Sequence, residues 1–163
     1  MTDAEKVYQV LDTLGIDYEK YEHPPVMTIA DIEKLDFTME PMHCKNLFLR
    51  NEKGNQHYLA LVHHNKKANT RGIAKKIGST RLSFASDKRL KTHLGLEPGG
   101  VSVFGLIHNE DRKVIVLVDE DLRKEEKLTF HPNVNTASVI ISQEGLKKFL
   151  DYAGHPVRYI TMD

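Results

Sequence analysis

At 163 residues, with 40% hydrophobic and 28% charged side chains, the chain carries enough apolar material for one full core and is not of disordered composition. Its net charge is zero, so the molecule as a whole is no electrostatic binder of nucleic acid, and a single cysteine, Cys44, excludes an intramolecular disulfide framework. No run approaches the roughly 20 apolar residues of a membrane helix, and the charged start Met1–Lys6 lacks the apolar core of a secretion signal, so a cytoplasmic location without membrane contact is expected.

Val7, Val10, Leu11 and Leu14 recur at helical spacing before Gly15, which predicts an amphipathic helix over 3–14. Asp17–Glu22 reads as a short exposed strand ended by His23-Pro24-Pro25. Thr28-Ile29-Ala30-Asp31 has capping-box spacing and predicts a short helix with Ile29, Ile32 and Leu35 on its apolar face. Two apolar runs, His43–Arg50 and Gln56–His63, flank a glycine-containing loop and predict a β-hairpin. A basic helix over Asn69–Ile77 ends at Gly78, and a second, capped by Ser86, runs to Leu94 before Gly95. Pro98-Gly99-Gly100 leads into the short apolar run Val101–Ile107, and Val114–Val118 suits a buried central strand. Strands at Lys127–Phe130 and Thr136–Ser142, a helix capped by Ser142 and stopped by Gly154, and a last strand at Val157–Thr161 complete the chain. The pattern predicts one α+β domain over 1–163, with a mixed, mostly antiparallel central sheet flanked by helices.

The charges are segregated. Residues 1–40 hold ten acids against three lysines, whereas residues 66–91 hold nine bases against Asp87 alone. That basic segment is either a pair of well-solvated helices or the edge at which a polyanion docks.

The common catalytic signatures are missing: no nucleophile elbow, phosphate-binding loop, dinucleotide fingerprint or paired-cysteine knuckle occurs. Candidates are therefore polar residues set among apolar ones. If Leu47 and Leu49 face the core, alternation puts Lys45 on their face at the strand's mouth, either as a snorkelling surface residue or as a positioned cation. The hairpin brings His43 and Cys44 near His63 and His64, but neighbours on a strand point to opposite faces, so no metal site is expected. Pro98-Gly99-Gly100-Val101-Ser102 is either a tight turn or a loop whose amides reach a ligand. His131, at a strand end, either caps the following turn or bonds a substrate.

Four blocks in order carry a resemblance: His43-Cys44-Lys45-Asn46-Leu47-Phe48-Leu49-Arg50, Leu82-Ser83-Phe84-Ala85-Ser86, Leu94-Gly95-Leu96-Glu97-Pro98-Gly99-Gly100-Val101-Ser102, and Phe130-His131-Pro132-Asn133-Val134-Asn135-Thr136-Ala137. The series resembles the freestanding editing proteins related to the insertion domain of bacterial prolyl-tRNA synthetase, the YbaK/ProRS-associated superfamily, and within it the ProX/PrdX branch. The resemblance implies a deacylase that hydrolyses the ester of alanine mischarged onto proline tRNA, with no cofactor and no metal. It implies an essential Lys45, a pocket lined by Asn46 and His131, and amides of Gly100, Val101 and Ser102 at the developing oxyanion. Thr28, Gly99, Asn133 and Thr136 are expected to line the substrate pocket with Asn46, and Lys66, Lys67, Arg71, Lys75 and Lys88 to meet the tRNA. The family's GxxxP loop is matched from Gly99 onward, except that Val103 stands in place of the proline. Expected partners are the tRNA 3′ end, a small amino-acid ester and prolyl-tRNA synthetase, the protein itself being a monomer or weak dimer. Two other readings stay open: a non-catalytic tRNA-end or amino-acid-binding module on the same scaffold, and a metal-dependent hydrolase using His43, Cys44 and His63.

Overall fold

The computed structural model describes residues 1–24 and 42–162, so the helix expected after Thr28 lies outside the described residues. The first helix, α1, spans Asp3–Thr13, and Thr2 caps it by accepting the Glu5 amide at 3.1 Å. Strand β1 is Tyr18–Glu22, and the predicted hairpin is β2, Met42–Arg50, with β3, His57–His63. Helix α2, Thr70–Ile77, is capped by Asn69 and closed by Gly78 at φ 69°, a left-handed cap that glycine adopts without steric cost. A two-residue strand, β4 (Ser83–Phe84), precedes helix α3, Asp87–Leu94. Then come β5 (Ile115–Asp119), β6 (Lys127–Phe130), β7 (Ala137–Ser142), helix α4 (Gln143–Ala153) and β8 (Val157–Ile160).

The strands run in the order β1-β7-β6-β2-β3-β5-β8, with β4 beside β2. Antiparallel ladders join β1 to β7, β2 to β3, β2 to β4 and β6 to β7; β2–β6, β3–β5 and β5–β8 are parallel. The sheet is therefore mixed, with a slight antiparallel majority. Strand β5 sits between two parallel neighbours, which explains its unbroken apolar run: Val116 and Val118 enter one core, and Leu117 the other.

Those two cores are the two faces of the sheet. One is packed by Val7 and Leu11 of α1, Leu90 and Leu94 of α3, and Leu146, Phe149 and Leu150 of α4. The other is smaller, and Ile73 and Ala74 of α2 close it over Leu49, Ala60 and Val62. The apolar run Val101–Ile107 is not a strand: Val103–His108 forms a 3-10 helix capped by Ser102 and sunk into the larger core. A second 3-10 helix, Glu120–Lys124, is capped by Asp119 and had no distinctive pattern in the sequence.

Arg89 of α3 fastens the hairpin loop by donating to the Gly54 carbonyl at 3.0 Å and to His57 Nε2 at 3.1 Å. A guanidinium only donates, so Nε2 must be the acceptor and His57 must be neutral. Its ring lies buried against Phe48 and His93, and burial, with the His93 and Arg89 charges added, pushes it down to about 4. Unfolded, the imidazole takes its proton near 6.5, so the contribution to stability is complete above that pH and is lost as pH falls toward 4. Urea midpoints measured from pH 7 to 4.5 are expected to fall across this window, by up to about 3 kcal/mol for this one group. In His57→Phe the decline is expected to be shallower.

Candidate functional site

Lys45 lies on β2 opposite Val62 of β3, on the face whose next members, Leu47 and Leu49, pack into the smaller core. The alternation argument thus holds, and the lysine occupies the end of that face. Its ammonium is not splayed into solvent. It donates to the backbone carbonyl of Lys66 in the loop after β3. An ammonium has three donors, and the Lys66 carbonyl takes one of them among the described residues, so two are left for a ligand there.

Asn46 points the other way. Its Nδ2 donates to the Cys44 carbonyl at 3.1 Å, and its Oδ1 accepts the Val103 amide at 3.1 Å. It therefore braces β2 against the glycine-containing loop. In that loop Gly99 has φ 89°, and a Cβ on Gly100 would stand 3.0 Å from the Asn133 carbonyl, so only glycine lets loop 99–102 lie against loop 131–134 without a shift. The Gly100 amide, expected at the oxyanion, is donated instead to the Glu97 carbonyl at 3.1 Å because it closes the turn. With Val103 also committed, the amides of Gly99, Val101 and Ser102 are left in that loop without such a partner among the described residues. The Ser102 hydroxyl is fully buried and caps the 3-10 helix by accepting the Phe104 amide at 3.1 Å.

Val103 is where this chain departs from the family pattern. A proline there would have no N–H for Asn46. Val103→Pro is expected to free the Asn46 amide and loosen the brace, lowering stability by about 1 kcal/mol while leaving β2 in place. Chemical denaturation, with the Asn46 side-chain amide signals followed by NMR, checks both effects.

Strands β2 and β6 are paired in parallel with His43 beside Thr129, and two residues on along each come Lys45 and His131. His131 Nδ1 donates to the Ala137 carbonyl at 3.1 Å, which leaves Nε2 as the acceptor of a neutral ring. Burial pushes this ring below its usual range; the bond to Ala137 opposes the shift and the His23 charge adds to it. Asn133 is buried at φ 64° with Nδ2 on the Phe104 carbonyl at 3.4 Å, and its Oδ1 has no partner among the described residues. Thr136 is exposed, its carbonyl accepting the His23 amide at 2.9 Å. Thr28 lies outside the described residues.

Three residues at this end escaped the sequence reading as pocket members. His43 is buried with Nε2 unpartnered among the described residues, and burial, helped by the charges of His131, His64 and His23, pushes it down to about 4. His23 bonds the buried Ser138 hydroxyl at 2.8 Å and stands edge-on to His131, ring centroids 6.4 Å apart. Their signal in the sequence was only polar character at strand ends. Cys44 faces the larger core, where burial, reinforced by Glu125 and Asp119, holds the thiol well above its usual range and removes it as a nucleophile or ready ligand. His63 faces Glu125 at 3.5 Å, and among the described residues no three His, Cys, Asp or Glu side chains are placed to hold a metal ion.

The basic segment divides. Arg71 and Lys75, with Arg81 and the exposed Phe84, line an open groove of about 700 Å³ between α2 and β4. Lys67 lies in the loop before α2 and Lys88 is exposed on α3. Lys66, expected to meet the tRNA, is instead bound within the protein, since its ammonium pairs with Asp119 and Asp121, each at 2.8 Å.

A mixed sheet with helices on both faces and a lysine, a braced glycine loop and a histidine at one end matches a known class of protein. The aminoacyl-tRNA editing domain family matches residues 23–149, and the chain belongs to that family. It is 40% identical over 162 residues to the prolyl-tRNA editing protein ProX of Acetoanaerobium sticklandii, covering 99% of both chains. It is 30% identical over 158 residues to prolyl-tRNA synthetase associated domain-containing protein 1 of Bos taurus, covering 95% of this chain and 92% of that one. Its fold superimposes with a TM-score of 0.74 on the crystal structure of a proposed trans-editing enzyme for prolyl tRNA synthetase, at 20% identity and covering 100% and 99% of the two chains.

Proposed function

We propose that this editing protein hydrolyses, in trans, the ester that joins alanine to the 3′ end of proline tRNA. The observation that carries the reading is that Lys45 and His131 each follow by two positions the paired residues His43 and Thr129 of β2 and β6, beside a loop braced by Asn46. The full-length likeness to a prolyl-tRNA editing protein supplies the substrate class.

An aminoacyl ester is reactive already, and among the described residues this end offers no activated nucleophile: the Cys44 thiol is buried in its neutral form and the Ser102 hydroxyl is a buried cap. Water is therefore the attacking group, assisted by the neighbouring 2′-hydroxyl of the substrate's own ribose. The Val101 and Ser102 amides would stabilise the oxyanion, and Lys45 would hold the carbonyl or terminal phosphate through its two remaining donors. His131 Nε2 and the unpartnered Asn133 Oδ1 are acceptors suited to a substrate hydroxyl or ammonium. Discrimination against proline rests on exclusion, because a pocket closed around a methyl group rejects a larger ring by clash. Lys67, Arg71, Lys75 and Lys88 would meet the acceptor-stem phosphates, giving salt-sensitive activity.

Alanyl- and prolyl-charged proline tRNA, incubated with the protein at two salt concentrations, test this. Release of alanine alone, slowed by salt, is the expected result. Tight tRNA binding without turnover of either ester would replace it with the binding-module reading.

A further inference from the structure

Lys66 has two roles in one residue. Its side chain crosses to three acceptors: Asp119 Oδ1 at 2.8 Å, Asp121 Oδ2 at 2.8 Å, and the carbonyl of Met162 near the end of the chain. Its backbone carbonyl is the acceptor for the Lys45 ammonium. Asp119 is fully buried and is itself held, Oδ2 by the His63 amide at 3.2 Å and Oδ1 by the Asp121 amide at 3.2 Å. A chain of contacts therefore runs from the end of β5, through Lys66, to Lys45. The Lys66 side chain is only 16% exposed. Burial by itself would lower its affinity for the proton, but the hydrogen bonds and charges of Asp119 and Asp121 outweigh that and hold it above its ordinary value. Loop residues with a solvated lysine wander; this one is tied at its tip, so its carbonyl is fixed.

We propose that Lys66 is a positioning residue for Lys45, its clamped side chain holding the loop carbonyl that aims the Lys45 ammonium at the substrate. The proposal rests on the reading of Lys45 as a substrate-contacting group. Lysine suits the position because its three rotatable donors match the three acceptors, and the long stem spans from the loop to β5 and the chain end. A methionine of similar length would fill the space but leave the Asp119 carboxylate without its cation.

The test is steady-state deacylation of alanyl-tRNA by Lys66→Met, Lys66→Arg and Asp121→Asn, with thermal melting of each. Lys66→Met is expected to lower kcat about ten- to a hundredfold, as a displaced catalytic group does, with KM within about twofold. Lys66→Arg, which keeps a cation for both carboxylates, is expected to recover most of that loss. In a Lys45→Ala background Lys66→Met is expected to cost nothing further, because the group it positions is gone. An additive loss there, or a raised KM with unchanged kcat, would overturn the proposal, the latter by making Lys66 a tRNA contact. If Lys66→Met does not fold, Asp121→Asn decides: the expected kcat loss of a few-fold supports the clamp, and full activity refutes it. Acetylation of Lys45 by acetic anhydride, read by mass spectrometry, gives a readout that survives failure of the functional reading. Lys66→Met is expected to speed it several-fold, and an unchanged rate counts against positioning whatever the substrate proves to be.

Discussion

Lys45→Ala is expected to slow hydrolysis of the alanyl ester by about 10²- to 10³-fold, the scale seen when one preorganised charge-stabilising donor is removed from an active site. Single-turnover rates on purified alanyl-tRNA measure it without interference from product release. The fold should be little affected, since Lys45 is half-buried at the end of its face and, among the described residues, makes one side-chain hydrogen bond, to a backbone carbonyl. Melting temperature is thus expected to stay within a few degrees while the rate collapses. A conservative Lys45→Arg is not expected to rescue fully: the planar guanidinium cannot keep the Lys66 carbonyl and offer the same two donors from the same point. Deacylation by Lys45→Ala at the wild-type rate would remove the proposed mechanism altogether.

Asp119→Ala is expected to produce the largest loss of stability, about 3–5 kcal/mol, from urea or thermal unfolding monitored by circular dichroism. The carboxylate is fully buried and answers three donors on separate segments: the Lys66 ammonium, the His63 amide at the end of β3 and the Asp121 amide opening a 3-10 helix. Removing it leaves each donor short of a partner, and the Lys66 charge with Asp121 as the remaining one of its two carboxylates. Against a total stability of about 5–15 kcal/mol for a domain of ordinary size, this approaches global unfolding. Contrast is supplied by the exposed pair Lys91–Glu97 at 3.2 Å, where Glu97→Gln is expected to cost less than about 1 kcal/mol.

Much of the architecture was legible because its causes are local. Helix α4 starts at Ser142, whose hydroxyl accepts the Gly145 amide, and ends at Gly154 in a left-handed turn; both are signals within a few residues of the boundary. The face of Lys45 followed from the two-residue period of a strand and the apolar character of Leu47 and Leu49. The run Val101–Ile107 showed its burial but not its conformation: Val103, Phe104 and Leu106 are apolar because they enter the larger core, and a 3-10 turn buries them as well as a strand would. At the site, Lys45, His131 and the glycine loop were marked by four blocks of sequence in a fixed order; His43 opens the first block but was weighed only as a metal ligand, and His23 and Ser138 were polar residues with no distinguishing pattern.

The amino-acid sequence alone determined the α-helices, the longer strands, their faces and the family to which the chain belongs, since capping, periodicity and motif order are short-range properties of the chain. Tertiary structure decided which polar groups remain available for chemistry. Asn46 meets the Val103 amide across 57 positions, Lys66 meets Asp119 across 53, and its bond to Met162 spans 96. Only the sheet order, with β3 beside β5, brings the second pair within reach. Lys66 and Lys67 are identical neighbours in the sequence. One is clamped beneath Lys45 and the other remains on the basic surface, because a buried carboxylate stands opposite the first.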